Sequence, residues 1–140
     1  MIVLDSNVIW EPLKPDADPA VIRWLDAQDP ETLYLTATSL AKILIDVALI
    51  PAGRRRHGME MAMQSLQTEL FAGRILSFDR EAAIAFAQLG SRAAAKRYPI
   101  SIADCQIAAI AAVHGFAVAT RDAAPFLAVG VPVVNPWEDF

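Results

Sequence analysis

The sequence is poor in thiols and in long apolar runs. Cys105 is its only cysteine, which excludes an internal disulfide and leaves too few thiols for a cysteine zinc site. No apolar run approaches the ~20 residues that cross a bilayer. No basic segment precedes the first apolar run, as it would in a secretory signal. These absences predict a cytoplasmic protein without a membrane span.

Positive charge is also scarce. The chain has 12 Lys and Arg against 16 Asp and Glu, a formal net charge of −4. This balance disfavours a general nucleic-acid clamp, because neutralising phosphates requires basic clusters. Two local clusters remain, Arg54–His57 and the group of Arg92, Lys96 and Arg97. Each is typical of a solvated helix end, and an RNA-backbone contact requires that both flank the functional site.

What the sequence does contain is a compact α/β pattern. A chain of 140 residues with 55% hydrophobic and 20% charged residues predicts one globular domain over residues 1–140. Short apolar segments alternate with helical ones, which predicts a central parallel sheet of about five strands. The predicted strands lie near Ile2–Leu4, Leu33–Leu35, Arg74–Leu76, Ala117–Ala119 and Pro132–Val134. The predicted helices are Asn7–Leu13, Pro19–Ala27, Ala37–Leu49, Gly53–Ala72, Asp79–Arg97 and Ser101–His114.

Three aspartates stand at element boundaries. Asp5 and Asp122 each follow a predicted strand, and Asp104 lies in the first turn of a predicted helix. Ligands of parallel α/β sheets bind beyond the carboxyl ends of the strands. Carboxylates gathered there repel one another unless a cation neutralises them. Oxygen-only donors favour Mg²⁺ or Mn²⁺ over zinc, and such a site suits phosphodiester hydrolysis.

Each aspartate also has a structural explanation. Asp5 is placed to cap the helix that begins near Asn7, and Asp122 is placed to cap a short turn after the fourth strand. Ser101 and Asp104 have the spacing of a capping box. A phosphoryl-transfer aspartate of the haloacid dehalogenase type is disfavoured, because Asn7 stands where that family has a second Asp.

Beyond these patterns, the chain resembles the PIN-domain toxins of the VapC type nearly from end to end. Each matching segment is weak alone, but their order and spacing are specific. The segments are Ile2–Ile9, Leu33–Ala41, Ala48–Arg56, Ile100–Asp104 with Gln106–Ala111, Ala119–Asp122, Phe126 and Gly130–Trp137.

The resemblance implies a three-layer α/β/α PIN-like fold and a magnesium-dependent endoribonuclease, the toxin of a toxin–antitoxin pair. Its substrates would be RNAs, often structured ones such as tRNA. It also implies a homodimer held inactive by a small VapB-like antitoxin. Asp5, Asp104 and Asp122 fall on the family's metal-binding acids, and Thr120 and Ser101 fall on supporting polar positions.

Lys42 departs from the family pattern. The family carries a glutamate in the motif that reads Ser39-Leu40-Ala41-Lys42-Ile43 here. The change moves the local charge by two units. At an effective dielectric near 20, an ammonium about 5 Å from a divalent cation costs roughly 6–7 kcal/mol before screening. One turn later, Asp46 stands where the family commonly has glycine. It is placed to pair with Lys42, but it lies too far along the helix to replace the glutamate.

Three interpretations of Lys42 stay open at the level of sequence. It inactivates or attenuates the nuclease, or three aspartates suffice for one metal, or the ammonium binds the scissile phosphate directly. In each case Lys42 is expected to lie within electrostatic reach of Asp5 or Asp104. A non-catalytic protein that binds antitoxin or RNA on a PIN scaffold is the alternative function.

Overall fold

A computed structural model describes residues 1–138 and places five parallel strands in one sheet. The strands are β1 (Ile2–Leu4), β2 (Leu33–Thr36), β3 (Ile75–Leu76), β4 (Ala117–Ala119) and β5 (Val133–Val134). Their order is β3-β2-β1-β4-β5. The chain therefore proceeds outward on one side of β1 and then on the other. The topological switch point lies between β1 and β4, where α/β proteins bind ligands.

Helices cover both faces of the sheet. The α-helices are α1 (Ser6–Trp10), α2 (Pro19–Asp26), α3 (Ala37–Ala48), α4 (Arg54–Ser65), α5 (Arg80–Ala95), α6 (Ile102–His114) and α7 (Ala124–Ala128). Two 3₁₀ turns, Glu11–Leu13 and Pro30–Thr32, and a π-helical turn, Leu66–Leu70, complete the set within the described residues. None of these helices is long and apolar enough to cross a membrane.

The two faces of β1 explain the layering. Consecutive strand residues point to opposite faces, so Val3 packs with α5, α6 and α7 while Leu4 packs with α1, α3 and α4. The same alternation holds on β4, where Val118 joins the first cluster and Ala119 joins the second. Both faces of the sheet are buried, as a parallel sheet requires. The predicted α/β/α architecture with five parallel strands is confirmed.

Some predicted helix and strand bounds differ from the structure. The helix predicted over Asn7–Leu13 ends at Trp10 and continues as a 3₁₀ turn, because Pro12 has no amide hydrogen to donate to the preceding turn. The helix predicted over Gly53–Ala72 begins at Arg54 and widens after Ser65 into the π-helical turn. The turn at Pro30–Thr32 was not predicted. β3 and β5 each begin one residue later than predicted.

Candidate active site

The site forms at the carboxyl ends of β1 and β4. Leu4 pairs with Ala119, and the Asp5 amide donates to the Ala119 carbonyl at 2.9 Å. Asp5 and Thr120 are therefore the first residues beyond two adjacent strands. Asp104 lies in the first turn of α6, the helix that leads into β4. The sheet thus brings together residues that are more than 100 positions apart in the chain.

Asp5 is a buried carboxylate whose two oxygens are both engaged. The side chain caps α1, with Oδ1 accepting from the Ser6 amide at 2.8 Å. Oδ2 accepts from the Thr120 hydroxyl at 2.8 Å, and the residue is only 3% exposed. The capping interpretation and the functional one are therefore compatible: the N-cap bond fixes the carboxylate at the switch point.

The electrostatic surroundings of Asp5 include both Lys42 and Asp104. Burial raises the pKa of Asp5, and repulsion by Asp104 adds to the increase. The Thr120 hydroxyl, the Lys42 ammonium and the Ser6 amide act in the opposite direction and lower this pKa. Lys42 and Asp104 therefore act on the same carboxylate with opposite sign.

Thr120 is the hub of the site and is fully buried. Its hydroxyl donates to Asp5 and accepts from the Asp122 amide at 3.1 Å. The same oxygen accepts a longer bond from Asn7 Nδ2 at 3.4 Å, and Asn7 Oδ1 accepts from the Arg121 amide at 3.4 Å. One hydroxyl therefore fixes the Asp5 carboxylate and the backbone that carries Asp122.

The other predicted site residues differ in their exposure and in the hydrogen bonds that they make. Ser101 caps α6 by accepting from the Asp104 amide at 3.1 Å, as the capping-box spacing predicted. Asp104 is partly buried, whereas Asp122 is exposed. The prediction that Asp122 caps the next helix was wrong, because the N-cap residue of α7 is Ala123 and no side chain caps it.

Lys42 is half-buried on α3 and makes no direct ion pair among the residues that the structure describes. The pairing of Lys42 with Asp46 was therefore wrong. The position of α3 is set by a hydrogen bond that the sequence did not indicate, from the Thr38 hydroxyl to Gln106 Oε1 at 2.9 Å. This bond joins the first turn of α3 to the first turns of α6. It therefore links the helix that carries Lys42 to the helix that carries Asp104.

The donors at this site fit a hard divalent cation in chemical type, since all of them are oxygens. The buried Asp5 carboxylate also requires positive charge nearby. Within residues 1–138, however, no three His, Cys, Asp or Glu side chains are grouped so that they could hold one metal ion. Lys42 already supplies positive charge to Asp5. The residues therefore fit a cation in kind, and Lys42 lowers its expected affinity.

The raised pKa of Asp5 predicts a pH-dependent stability difference. The folded protein binds this proton more tightly than the unfolded chain, so the contribution of Asp5 to stability falls as pH rises from its ordinary pKa of 3.8 through the raised value. Asp5→Asn lacks this titration. Its free energy of unfolding relative to the parent protein should therefore increase with pH over that window, by at most about 1.4 kcal/mol for each pH unit.

Urea unfolding at several pH values without divalent ions measures this difference. Asp16→Asn, which removes an exposed carboxylate, controls for the loss of one surface charge. The measurement runs from about pH 3.5, just below the ordinary pKa of an aspartate, to about pH 7. If the difference in unfolding free energy between Asp5→Asn and the parent protein stays constant over this range, the pKa of Asp5 is not raised by burial.

Some residues of each basic cluster have structural partners. Arg92 Nη1 donates to the Val129 carbonyl and Lys96 Nζ donates to the Ala128 carbonyl, both at 2.8 Å. These bonds satisfy carbonyls at the end of α7. In the first cluster Arg56 pairs with Glu60 at 3.2 Å. Neither arrangement indicates a phosphate contact.

Comparison with known proteins places the chain in a family. The PIN-domain family model matches residues 2–131. The chain is 46% identical over 138 residues to the VapC ribonuclease Y4jK of Sinorhizobium fredii, covering 99% of both chains. It is 42% identical over 139 residues to the toxin FitB of Neisseria gonorrhoeae, covering 99% of this chain and 100% of FitB.

Comparison of structures agrees. The crystal structure of FitAcB from Neisseria gonorrhoeae superposes with a TM-score of 0.95 at 42% identity, covering 99% of both chains. Sequence similarity over nearly the whole chain and a matching fold lead to one conclusion: this chain belongs to the PIN-domain family, among the toxins of the VapC and FitB type.

Proposed function

We propose that this protein is a metal-dependent ribonuclease toxin whose activity is attenuated by Lys42. The cleavage site would be formed by Asp5, Asp104 and Asp122, with Thr120 and Ser101 supporting them. The observation that supports this most is the bond from the buried Thr120 hydroxyl to Asp5, made at the switch point of the sheet. Two relatives that match the chain over its whole length are named a ribonuclease and a toxin.

The protein's own residues would orient the reacting groups. Thr120 and Ser6 hold both oxygens of Asp5, which leaves the remaining lone pairs of this carboxylate in fixed directions. Asp104 adds negative charge within electrostatic reach of Asp5, and Asp122 would add a third carboxylate from the segment that Thr120 anchors. Mg²⁺ or Mn²⁺ bound by these oxygens would supply Lewis-acid stabilisation of the charge that develops on the phosphate. Burial of Asp5 strengthens every such electrostatic interaction, because little water screens it.

The proposed attenuation follows from charge. An ammonium near Asp5 supplies part of the positive charge that this carboxylate requires, so the binding of a divalent ion is less favourable.

Removing one carboxylate from an already weak metal site should therefore reduce the rate of RNA cleavage only moderately. Asp104→Asn is expected to lower Mg²⁺-dependent cleavage of RNA by roughly tenfold, less than the loss usual for one catalytic group in a fully active site.

Gel-resolved cleavage of a labelled tRNA and of a single-stranded RNA, with Mg²⁺, with Mn²⁺ and with EDTA, tests the proposal. Asp46→Asn is the matched control, since Asp46 is an exposed carboxylate on α3. Equal cleavage by the parent protein, Asp5→Asn and Asp104→Asn would refute the assigned site.

A second function is favoured by the same ammonium: a catalytically silent PIN scaffold that binds antitoxin or RNA without cutting it. Here Lys42 would replace the metal permanently as the positive partner of Asp5. Calorimetric titration of the purified protein with Mg²⁺ separates the two functions. No heat of binding, together with retained RNA binding, would favour the silent scaffold.

We also infer a small VapB-like antitoxin as partner and a homodimer as the working unit. An apolar cleft of about 540 Å³ supports a protein partner, because clefts of this character accept apolar side chains. Its apolar walls are built from β1, α1, α2 and the α4 region, and include Leu4, Val8, Ile9, Leu25, Met63, Leu66 and Phe71. Exposed apolar residues on and just after α3, among them Ile45 and Leu49, support association between copies.

A further inference from the structure

Arg121 is a cation held at the rim of the candidate active site. Its guanidinium lies over the Trp137 ring, 5.2 Å from the ring centroid. The residue is exposed, and within residues 1–138 its side chain makes no hydrogen bond and no ion pair. A guanidinium that rests on an aromatic ring keeps its N–H donors available for another partner.

Both ends of this contact are fixed by the fold. The Arg121 amide donates to Asn7 Oδ1, and the neighbouring Asp122 amide donates to the buried Thr120 hydroxyl. On the other side, the Trp137 amide donates to Asn135 Oδ1 at 3.0 Å. The Trp137 ring packs against the core cluster that contains Leu4 and Ala119. Arg121 therefore lies at the carboxyl end of β4, between Thr120 and Asp122, and two anchored segments hold it there.

Several other arginines in the structure are already engaged. Arg92 binds the end of α7, and Arg74 donates to the backbone carbonyls of Leu33 and Leu70. Arg56 pairs with Glu60. Arg121 differs from these three because its guanidinium is positioned by Trp137 and, among residues 1–138, makes no hydrogen bond or ion pair. A group of carboxylates repels a polyanion, so a cation fixed at its edge would offset that repulsion where the substrate must approach.

We propose that Arg121 binds an RNA phosphate next to the one being cleaved, and that Trp137 positions its guanidinium. The fork of N–H donors matches two phosphate oxygens. The half-buried Trp137 limits the rotamers of the long arginine side chain, which lowers the entropy lost on binding. This inference rests on the proposed ribonuclease function and assigns a substrate-binding residue to its site. RNA is favoured over an acidic protein segment as the ligand because the proposed site cleaves RNA, whereas the carboxylates repel both polyanions alike.

The test is RNA binding measured separately from cleavage. Fluorescence anisotropy with a labelled single-stranded RNA, in EDTA and over a range of salt concentrations, gives the affinity and its salt slope. Arg121→Gln should weaken binding roughly tenfold and reduce the slope by about 0.7, the value for one lost phosphate contact on a single strand. Arg121→Lys should recover the slope but only part of the affinity, because lysine lacks the planar fork.

Two further positions complete the design. Arg80→Gln removes an exposed arginine beyond β3 at the opposite edge of the sheet, three strand spacings of about 4.8 Å from β4; it should leave affinity nearly unchanged. Trp137→Leu should weaken binding in the parent protein and have little added effect in Arg121→Gln, since both act through one contact. Trp137→Phe keeps a ring and should bind like the parent.

The outcomes separate this inference from the function on which it rests. If the parent protein binds RNA and Arg121→Gln binds it with the same affinity and slope, the assignment of Arg121 is wrong while the ribonuclease proposal stands. Equal losses in Arg121→Gln and Arg80→Gln would reduce the effect to net charge and overturn it too. The same assay is run with a labelled poly-glutamate peptide. If Arg121→Gln weakens binding of this peptide but not of RNA, Arg121 is assigned to an acidic protein partner instead. No RNA binding or cleavage by the parent protein would remove both proposals.

Discussion

Replacing Lys42 with glutamate is expected to raise the affinity for Mg²⁺ or Mn²⁺ on the order of 100-fold and to raise the rate of RNA cleavage with it. The change moves the charge near Asp5 by two units. A hundredfold gain is about 2.7 kcal/mol, less than half of the roughly 6–7 kcal/mol expected for an ammonium about 5 Å from a divalent ion without screening. The reduced value allows for solvent around a half-buried side chain and for its freedom to swing away.

Calorimetry with each metal, and RNA cleavage at a metal concentration that does not saturate the parent protein, measure the two effects of Lys42→Glu. Lys42→Gln removes the charge without restoring a carboxylate, so it should fall between the parent protein and Lys42→Glu. Expression in cells should show the same order of toxicity. Unchanged metal affinity and cleavage in Lys42→Glu would refute attenuation, and cleavage lost in Lys42→Gln would indicate that the ammonium binds phosphate.

Replacing Thr120 with valine is expected to destabilise the protein by about 3 kcal/mol and to reduce cleavage. Valine keeps the shape of threonine but removes the hydroxyl that Asp5 and the Asp122 amide share. A buried acceptor or donor left without a partner costs about 1–3 kcal/mol, and more when it is charged. Asp5 is 3% exposed, so water replaces little of the lost bond.

Thr120→Ser is the matched control, because serine keeps the hydroxyl and loses only one methyl group, worth about 0.8 kcal/mol. Urea denaturation at neutral pH gives the free energy of unfolding for both variants. Equal destabilisation by valine and serine would mean that the methyl group, and not the hydrogen-bond hub, is what the fold requires at this position.

Much of the fold was predictable because both faces of a parallel sheet are buried. Short apolar segments such as Ile2–Leu4 and Ala117–Ala119 then stand out from the helical pattern around them. The helix ends marked by Ser101 and Gly115 were predictable as well, since a hydroxyl cap and a left-handed glycine are local signals. Turns that depend on a single backbone distortion, such as the π-helical turn after Ser65, left no such signal.

The sequence predicted where the candidate aspartates stand relative to the strands and helices, but not how they are arranged around one another. Asp5 and Asp104 stood at strand and helix boundaries, which the sequence marks. Asp122 was given a capping role that it does not have, because the helix after it begins with Ala123 at the N-cap. The roles of Asn7 and Arg121 went unpredicted, since their partners lie more than 100 residues away or across a loop.

By itself the sequence determined where four of the five described strands end and which polar residue follows each of them, because alternation and capping act over a few neighbouring residues; β2 runs one residue further, to Thr36. Only the tertiary structure decided that the Thr120 hydroxyl meets Asp5, that Lys42 acts on the same carboxylate, and that Arg121 rests on Trp137. Those contacts depend on strand order and on how α3 packs beside α6. Both are set by the burial of whole faces, which no local segment encodes.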